Sequence, residues 1–113
     1  MKLGDARSVD RLIMLTTDLD PEVRANAAWA LGELAGLQIG DSLSIEALNI
    51  LLTDDDREAK GMAAWALGRM AEKMRVTSPS SIPLLRSLLQ EKSEYLRKGA
   101  QWSLERIERL HPI

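Results

Sequence analysis

The sequence predicts an all-α protein built as a short solenoid of three helical hairpins. The main observation is a fifteen-residue pattern that occurs three times, as PEVRANAAWALGELA at 21–35, REAKGMAAWALGRMA at 57–71 and EYLRKGAQWSLERIE at 94–108. Its tryptophans, Trp29, Trp65 and Trp102, lie 36 and then 37 residues apart. A period between about 20 and 50 residues is typical of stacked repeat arrays. Strand signals are absent, since apolar and polar residues show no sustained alternation and Val and Ile are few.

A first helix precedes each copy of the pattern. Its apolar residues recur at matching positions, and within each helix they are three residues apart, which places them on one stripe. They are Val9, Leu12 and Leu15 in the first unit, Ile45, Leu48 and Leu51 in the second, and Ile82, Leu85 and Leu88 in the third. Each unit is therefore predicted to be helix, tight turn, helix. The units span about 5–36, 41–72 and 78–110, within a single domain of residues 1–113.

A short polar break separates the two helices of each unit. Asp20, Asp56 and Ser93 stand where a helix N-cap is required, and Pro21 suits the first helical turn. The run Asp54-Asp55-Asp56 is interpreted as a turn with a cap rather than as a metal site. The spaced oxygen ligands and the closing Glu of a calcium loop are missing.

The joints between units contain the Gly, Pro and Ser residues that end one helix and begin another. They span 36–41, with the sequence GLQIGD, and 73–81, with the sequence KMRVTSPSS. In the second joint, Ser78-Pro79 or Ser81 is expected to cap the first helix of the third unit.

A helical wheel of the second helix, at about 100° per residue, indicates which side faces the core. One side is apolar and is expected to be buried: Val23, Ala27, Ala30, Leu31 and Leu34. The adjacent side, which a neighbouring helix could approach closely, is made of small residues: Ala28, Gly32 and Ala35. Roughly opposite the core lies Trp29, among Glu22, Ala25, Asn26 and Glu33.

The face that carries the tryptophans is the predicted partner-binding surface. Trp, Tyr and Arg dominate binding hot spots because they combine a large contact area with a polar group. The predicted residues are Glu22, Asn26, Trp29, Glu33, Glu58, Met62, Trp65, Arg69, Tyr95, Lys98, Trp102 and Arg106. A second interpretation stays open beside it: the indoles lie flat between successive second helices and shield the Ala and Gly residues there.

Basic residues recur five positions before each tryptophan, at Arg24, Lys60 and Arg97. We expect them to form a structural ladder in which each cation binds a carboxylate of a neighbouring turn, such as Asp18 or Asp54.

The two ends of the array differ from its middle. In the third unit, Gln101, Glu105 and Glu108 replace the small residues of the other second helices, and a terminal repeat needs such a polar outer face. This unit is therefore predicted to be a C-terminal cap. At the other end, Arg11 and Thr16 replace apolar residues of the later units and suggest a cap, whereas Leu3-Gly4-Asp5 resembles the tail of a preceding unit.

The repeating unit resembles the HEAT-like repeats named after the phycobilisome lyases. The matching residues are Gly4-Asp5, Arg7 and Val9 at the start, Asp18 and Asp20 in the turn, and Val23-Arg24 with Ala27-Ala28-Trp29-Ala30-Leu31-Gly32 in the second helix. The resemblance covers essentially all 113 residues and is weaker in the third unit, where Ser103-Leu104-Glu105 replaces Ala-Leu-Gly. It implies a right-handed α-solenoid whose second helices line the concave side, so the tryptophan face would be concave.

The sequence offers little for catalysis. The only histidine is His111, so neither a His-based triad nor a multi-His metal site can be built. No strand precedes the glycines, as a phosphate-binding loop would require. The resembled family includes an iron-dependent hydroxylase with His-Glu pairs on successive repeats, and such pairs are absent from this sequence. We therefore predict that the protein is not an enzyme and uses no metal or cofactor.

Composition favours a soluble, cytoplasmic protein. The chain contains no Cys, which excludes disulfides and thiolate chemistry and suits a reducing compartment. No apolar run approaches the roughly 20 residues needed to span a membrane. The net charge of −2 implies no bulk attraction to nucleic acid or acidic lipid.

The predicted function is a protein–protein interaction module that binds a protein or peptide on the concave face. A nucleic-acid-binding module is the alternative, because residues 77–113 carry six cations against four anions and aromatic residues beside cations suit base stacking. Residues 1–76 have a net charge of −4, which argues against it. A third alternative, an accessory or chaperone-like subunit for a tetrapyrrole-carrying protein, rests on the family resemblance. A homodimer through the concave stripe also stays open.

Overall fold

The computed structural model describes residues 6–110, which form three helical hairpins. Their helices are α1 (Ala6–Leu15) with α2 (Pro21–Ala35), α3 (Ser42–Leu51) with α4 (Arg57–Met74), and α5 (Ser81–Leu88) with α6 (Glu94–Leu110). These described residues contain no strand. The prediction of an all-α protein made of helix–turn–helix units is confirmed. Gly4, Asp5 and His111, which the sequence analysis singled out, lie outside the described residues.

Each second helix begins at the cap that the sequence predicts. The Asp20 side chain accepts a hydrogen bond from the main-chain nitrogen of Glu22 at 2.9 Å, and Pro21 follows at the first helical position. The Asp56 carboxylate accepts from the nitrogen of Ala59 at 2.9 Å. The hydroxyl of Ser93 accepts from Leu96 at 3.3 Å. These bonds satisfy main-chain donors that the first turn of a helix leaves unpaired.

The expected cap of α5 is wrong. The residue before this helix is Ser80, whose side chain makes no capping bond. Ser78 instead accepts a hydrogen bond from the nitrogen of Ser80 within the joint, at 3.3 Å. Ser81 is the first residue of the helix and is fully buried, where its hydroxyl donates to the side-chain oxygen of Asn49 on α3 at 2.6 Å. Ser81 therefore ties two repeats together instead of starting a helix.

The second helices form the closely packed layer of the stack. Helix α4 lies between α2 and α6 and packs along both, whereas α1 contacts α3 at few places and α3 contacts α5 less still. The small residues that the wheel places beside the core are buried in this layer: Ala28, Gly32 and Ala35 in α2, and Ala64, Gly68 and Ala71 in α4. Their size allows the helix backbones to approach each other closely.

The core fills the space between the two layers, and its largest fully buried side chains include Leu48, Leu67, Leu85 and Ile107. The wheel of α2 is wrong at three positions. Val23 and Ala30, predicted to be core residues, are half-buried, and Ala25, predicted to lie on the outer face, is buried. A single-helix wheel omits the neighbouring helices: the Ala25 equivalent in α4, Gly61, lies directly under the Tyr95 ring of α6.

None of the helices within residues 6–110 combines the length and the apolar character needed to cross a membrane.

Candidate interaction surface

The outward row of residues along α2, α4 and α6 is called here the second-helix face. Seven of its twelve predicted residues are exposed, namely Glu22, Asn26, Trp29, Glu33, Glu58, Tyr95 and Lys98. The other five are half-buried, namely Met62, Trp65, Arg69, Trp102 and Arg106. The structure thus brings residues from all three repeats onto one surface. The half-buried residues of this surface all belong to the second and third repeats.

The three indoles of this face have different surroundings. The six-membered ring of Trp65 lies on Gly32 of the preceding second helix, and the ring of Trp102 lies on Gly68 in the same way. Any side-chain carbon at these glycines would overlap the rings; at Gly68 it would stand 2.5 Å from Cζ3 of Trp102. Trp29 has no such helix before it among the described residues and is 50% exposed. Packing between repeats therefore covers much of the Trp65 and Trp102 rings and little of the Trp29 ring.

An arginine one turn later stacks on each of the two packed indoles. The Arg106 guanidinium carbon lies 3.9 Å from the centroid of the Trp102 ring, and that of Arg69 lies 5.5 Å from the Trp65 ring. Both distances are within the range of a cation–π interaction. Arg106 also forms an ion pair with Glu72 of α4 at 3.1 Å. This stacking is absent from the sequence-based predictions, although the four-residue spacing of Trp and Arg on a helix could have indicated it.

The charge that accompanies the indole changes sign along the row. Repeat one has Glu33 at the position that Arg69 and Arg106 occupy in repeats two and three. Tyr95 follows the same trend, because it stands where the first two repeats have Glu22 and Glu58. Burial raises the pKa of Tyr95, and the Glu58 carboxylate adds to the increase. The Tyr95 hydroxyl therefore stays protonated at neutral pH and can donate a hydrogen bond.

A separate set of contacts joins the turns of adjacent repeats. Arg24 donates through Nη1 to the main-chain oxygens of Asp18 and Leu19 in its own turn, at 2.8 and 3.2 Å. Its Nη2 donates to the Asp54 carboxylate of the next turn at 3.0 Å, and its Nε lies 3.0 Å from the other carboxylate oxygen. This hydrogen bond with Asp54 raises the pKa of Arg24. Arg24 thus holds two successive turns in register.

Lys60 and Arg97 occupy the equivalent positions in repeats two and three. Lys60 pairs with the Glu91 carboxylate of the next turn at 2.9 Å. Arg97 donates to the main-chain oxygens of Glu91 and Lys92 in its own turn, at 2.8 and 2.7 Å. The Asp18 carboxylate differs from the predicted ladder, because it accepts from the main-chain nitrogen of Asp20 at 2.9 Å and Arg24 binds only the main chain of Asp18.

The pair of Lys60 and Glu91 is expected to contribute modestly to stability. It is partly exposed, and pairs of this kind are worth about 0.2–1 kcal/mol. We expect Lys60→Met and Glu91→Gln to show a favourable coupling of this size in a double-mutant cycle of urea unfolding, and the coupling should shrink in high salt. A coupling of zero at low salt would show that the contact does not hold the turns together.

The carboxylates of the acidic turn between α3 and α4 accept hydrogen bonds that stabilise the fold. Asp54 accepts hydrogen bonds from Arg24 and from the main-chain nitrogen of Asp56, and Asp56 caps α4. Within residues 6–110, no three His, Cys, Asp or Glu side chains are grouped so that they could hold a metal ion.

Comparison with known proteins agrees with this architecture. The family model for HEAT repeats matches residues 2–67 and 45–109. Among solved structures, the crystal structure of an engineered protein from a structural genomics consortium is similar, with a TM-score of 0.78 and 30% sequence identity. The similarity covers 94% of this chain and 47% of that one, so the chain spans about half the length of the engineered protein. No curated protein matches the sequence. The chain, an all-α solenoid, belongs to the HEAT-repeat family.

Proposed function

We propose that this protein is a non-catalytic interaction module that binds a protein or peptide segment on its second-helix face. HEAT repeats are generally protein-interaction scaffolds, and extended repeat surfaces serve this purpose because they present many side chains in a row. The observation that supports this face most strongly is the row of three indoles, each with a charged residue one helical turn later: Glu33, Arg69 and Arg106. Aromatic and arginine side chains together are typical of binding hot spots.

The packing of the stack supports a concave shape for this face. The second helices approach each other along their small residues, whereas the first helices contact each other at few places. A stack whose units are closer together on one side curves towards that side. The second-helix face would therefore wrap around a bound segment and exclude water from it.

The charges on this face favour a partner with basic side chains at the end formed by the first two repeats. Glu22, Glu33 and Glu58 are exposed there, and none of them belongs to an ion pair among the described residues. In the third repeat, Lys98 is paired with Glu94 and Arg106 with Glu72, so fewer cations are free for phosphates. A nucleic acid would meet repulsion from the acidic end, which is why we favour a protein ligand.

We further propose that the chain belongs to the phycobilisome-lyase type of HEAT repeat and works in the cytoplasm. The Ala-Ala-Trp-Ala-Leu-Gly motif at 27–32 and 63–68 supports the first statement, and the absence of cysteine supports the second.

The test compares three baits in a pull-down from lysate of the native cells, each with and without nuclease. Glu58→Lys reverses a charge on the second-helix face, and Glu46→Lys makes the same change on the exposed side of α3, in the first-helix layer. We expect proteins that the wild type and Glu46→Lys recover equally and that Glu58→Lys recovers at least about tenfold less. Equal recovery by both variants would refute this face as the binding surface. Recovery that disappears with nuclease would favour nucleic acid instead.

A further inference from the structure

The first hairpin exposes apolar positions that the other two hairpins bury. Leu15 is 40% exposed, whereas its equivalents Leu51 and Leu88 are 2% and 3% exposed. Likewise, Ala30 is half-buried, whereas its equivalent Ala66 is fully buried against the preceding second helix. Within the stack, the preceding second helix covers the Ala66 position, and α2 has no such neighbour among the described residues.

The exposed positions form a groove of about 620 Å³ on the first hairpin. Its apolar lining comes from Leu12 and Leu15 of α1, from Trp29 and Leu34 of α2, and from Leu37 after it, while Arg69 of α4 also contributes. The half-exposed indole of Trp29 is therefore one wall of a preformed apolar groove. Such grooves are preferred binding sites, because a ligand gains burial there without reshaping the protein.

In the turn of the first hairpin, one carboxylate lacks the ion-pair partner that the equivalent carboxylates of the later turns have. Asp54 receives the guanidinium of Arg24 from the preceding repeat, and Glu91 receives the ammonium of Lys60 in the same way. Asp18 is the corresponding residue of the first turn. Its carboxylate belongs to none of the ion pairs found within residues 6–110, and one of its oxygens accepts from the nitrogen of Asp20.

We infer that this upstream face, defined by Leu12, Leu15, Asp18, Trp29 and Leu37, docks a helical-repeat hairpin that carries a glycine and a basic residue at matching positions. The two internal interfaces of the stack show which chemistry fits. The docking helix needs a glycine to receive the indole of Trp29 and a basic residue to pair with Asp18. Arg24 with Gly32 and Lys60 with Gly68 show the spacing, with the cation eight residues before the glycine. The upstream face shares Trp29 with the second-helix face, whereas Leu12, Leu15, Asp18 and Leu37 lie outside that face.

A second copy of the chain does not offer this complement. Its third repeat has a suitable cation in Arg97, but Glu105 occupies the glycine position, and Gln101 and Glu108 replace two alanines. All three side chains are exposed in the structure. Covering Trp29 with this surface would bury the Glu105 carboxylate, whose one ion pair within residues 6–110 is a long one to Arg106 at 3.9 Å, and burying a weakly paired charge is unfavourable. The third repeat therefore does not fit the upstream face.

The test converts the third repeat into the proposed complement. The probe is the full chain with Gln101→Ala, Glu105→Gly and Glu108→Ala, which places a glycine eight residues after Arg97. Gly99→Ala is included because nothing lies within 4 Å of that position and the change restores the helix propensity that the new glycine removes. Circular dichroism verifies that the probe is folded.

We expect sedimentation velocity to show concentration-dependent linear oligomers of the probe, since a head-to-tail contact that does not close extends into a chain. The wild type should remain monomeric under the same conditions. Adding Trp29→Lys to the probe should restore the monomer, and adding Asp18→Lys should weaken association at least about tenfold. A folded probe that stays monomeric, or oligomers that persist with Trp29→Lys, would overturn the inference.

Discussion

The Gly68→Val substitution is expected to lower the free energy of unfolding by about 3 kcal/mol or more. A side-chain carbon at this position would stand 2.5 Å from Cζ3 of Trp102 and 3.0 Å from the main-chain Cα of Ser103. The indole would have to leave its site, and α6 would have to move away from α4. This loss is a large share of the about 5–15 kcal/mol that stabilises a typical domain. Urea unfolding followed by circular dichroism measures it.

Gly99→Val is the matched control. Gly99 lies in the next second helix and has no atom within 4 Å of its missing side chain. The same substitution there should change stability by no more than about 0.5 kcal/mol, because Val and Gly differ little in helix propensity. If the strain at position 68 arises from the indole, adding Trp102→Ala to Gly68→Val should cost less than the two separate losses combined. Equal effects of valine at positions 68 and 99 would show that the glycine–indole contact does not limit the approach of the helices.

Trp65→Ala is expected to cost about 2–3 kcal/mol, somewhat less than the about 3–5 kcal/mol of a fully buried tryptophan. Less of this side chain faces solvent than of Trp29, because the ring lies on Gly32 and carries the guanidinium of Arg69 on its surface. Its loss would leave a void between α2 and α4, which pack closely along their length. Trp29→Ala should cost less than about 1 kcal/mol, because half of that side chain already faces solvent.

The two substitutions together show how much each indole contributes to packing. Both variants should keep the helical circular dichroism of the wild type, and their urea midpoints give the difference in stability. A loss below about 1 kcal/mol for Trp65→Ala would mean that this indole contributes little to packing between repeats. A loss above about 2 kcal/mol for Trp29→Ala would contradict the exposure of its ring.

The sequence indicated the helices well because their signals are local and repeated. The spacing of apolar residues places one stripe on each helix, and the caps at Asp20, Asp56 and Ser93 depend on side chains within three residues of the bonds they make. The third copy of the pattern also supports the first two, so the start of the second helix is indicated three times, whereas the start of α5 has no such repeated signal.

The surroundings of the surface residues could not be predicted in this way, because they depend on the neighbouring repeat. A wheel places Trp29, Trp65 and Trp102 equally on the outside, and only the stacking of helices distinguishes the exposed ring from the covered ones. The burial of Ala25 has the same origin. The groove beside Trp29 depends on the relative positions of α1 and α2, which no local pattern contains.

The two helix layers are packed unequally. The protein is therefore expected to resist stretching more strongly along the layer of second helices than along the layer of first helices. Pulling α2, α4 and α6 apart would break the glycine–indole contacts and expose the core, so the length of this layer is fixed. Spreading α1, α3 and α5 would break fewer contacts between helices, although the hydrogen bond between Ser81 and Asn49 joins α3 to the start of α5. The outer layer is therefore expected to stretch more easily than the inner one. The curvature of the stack is therefore expected to increase when the first helices move apart while the second helices keep their spacing. Under the proposed function, elasticity in this one direction would allow the second-helix face to close around partners of different width while the register of its side chains stays constant.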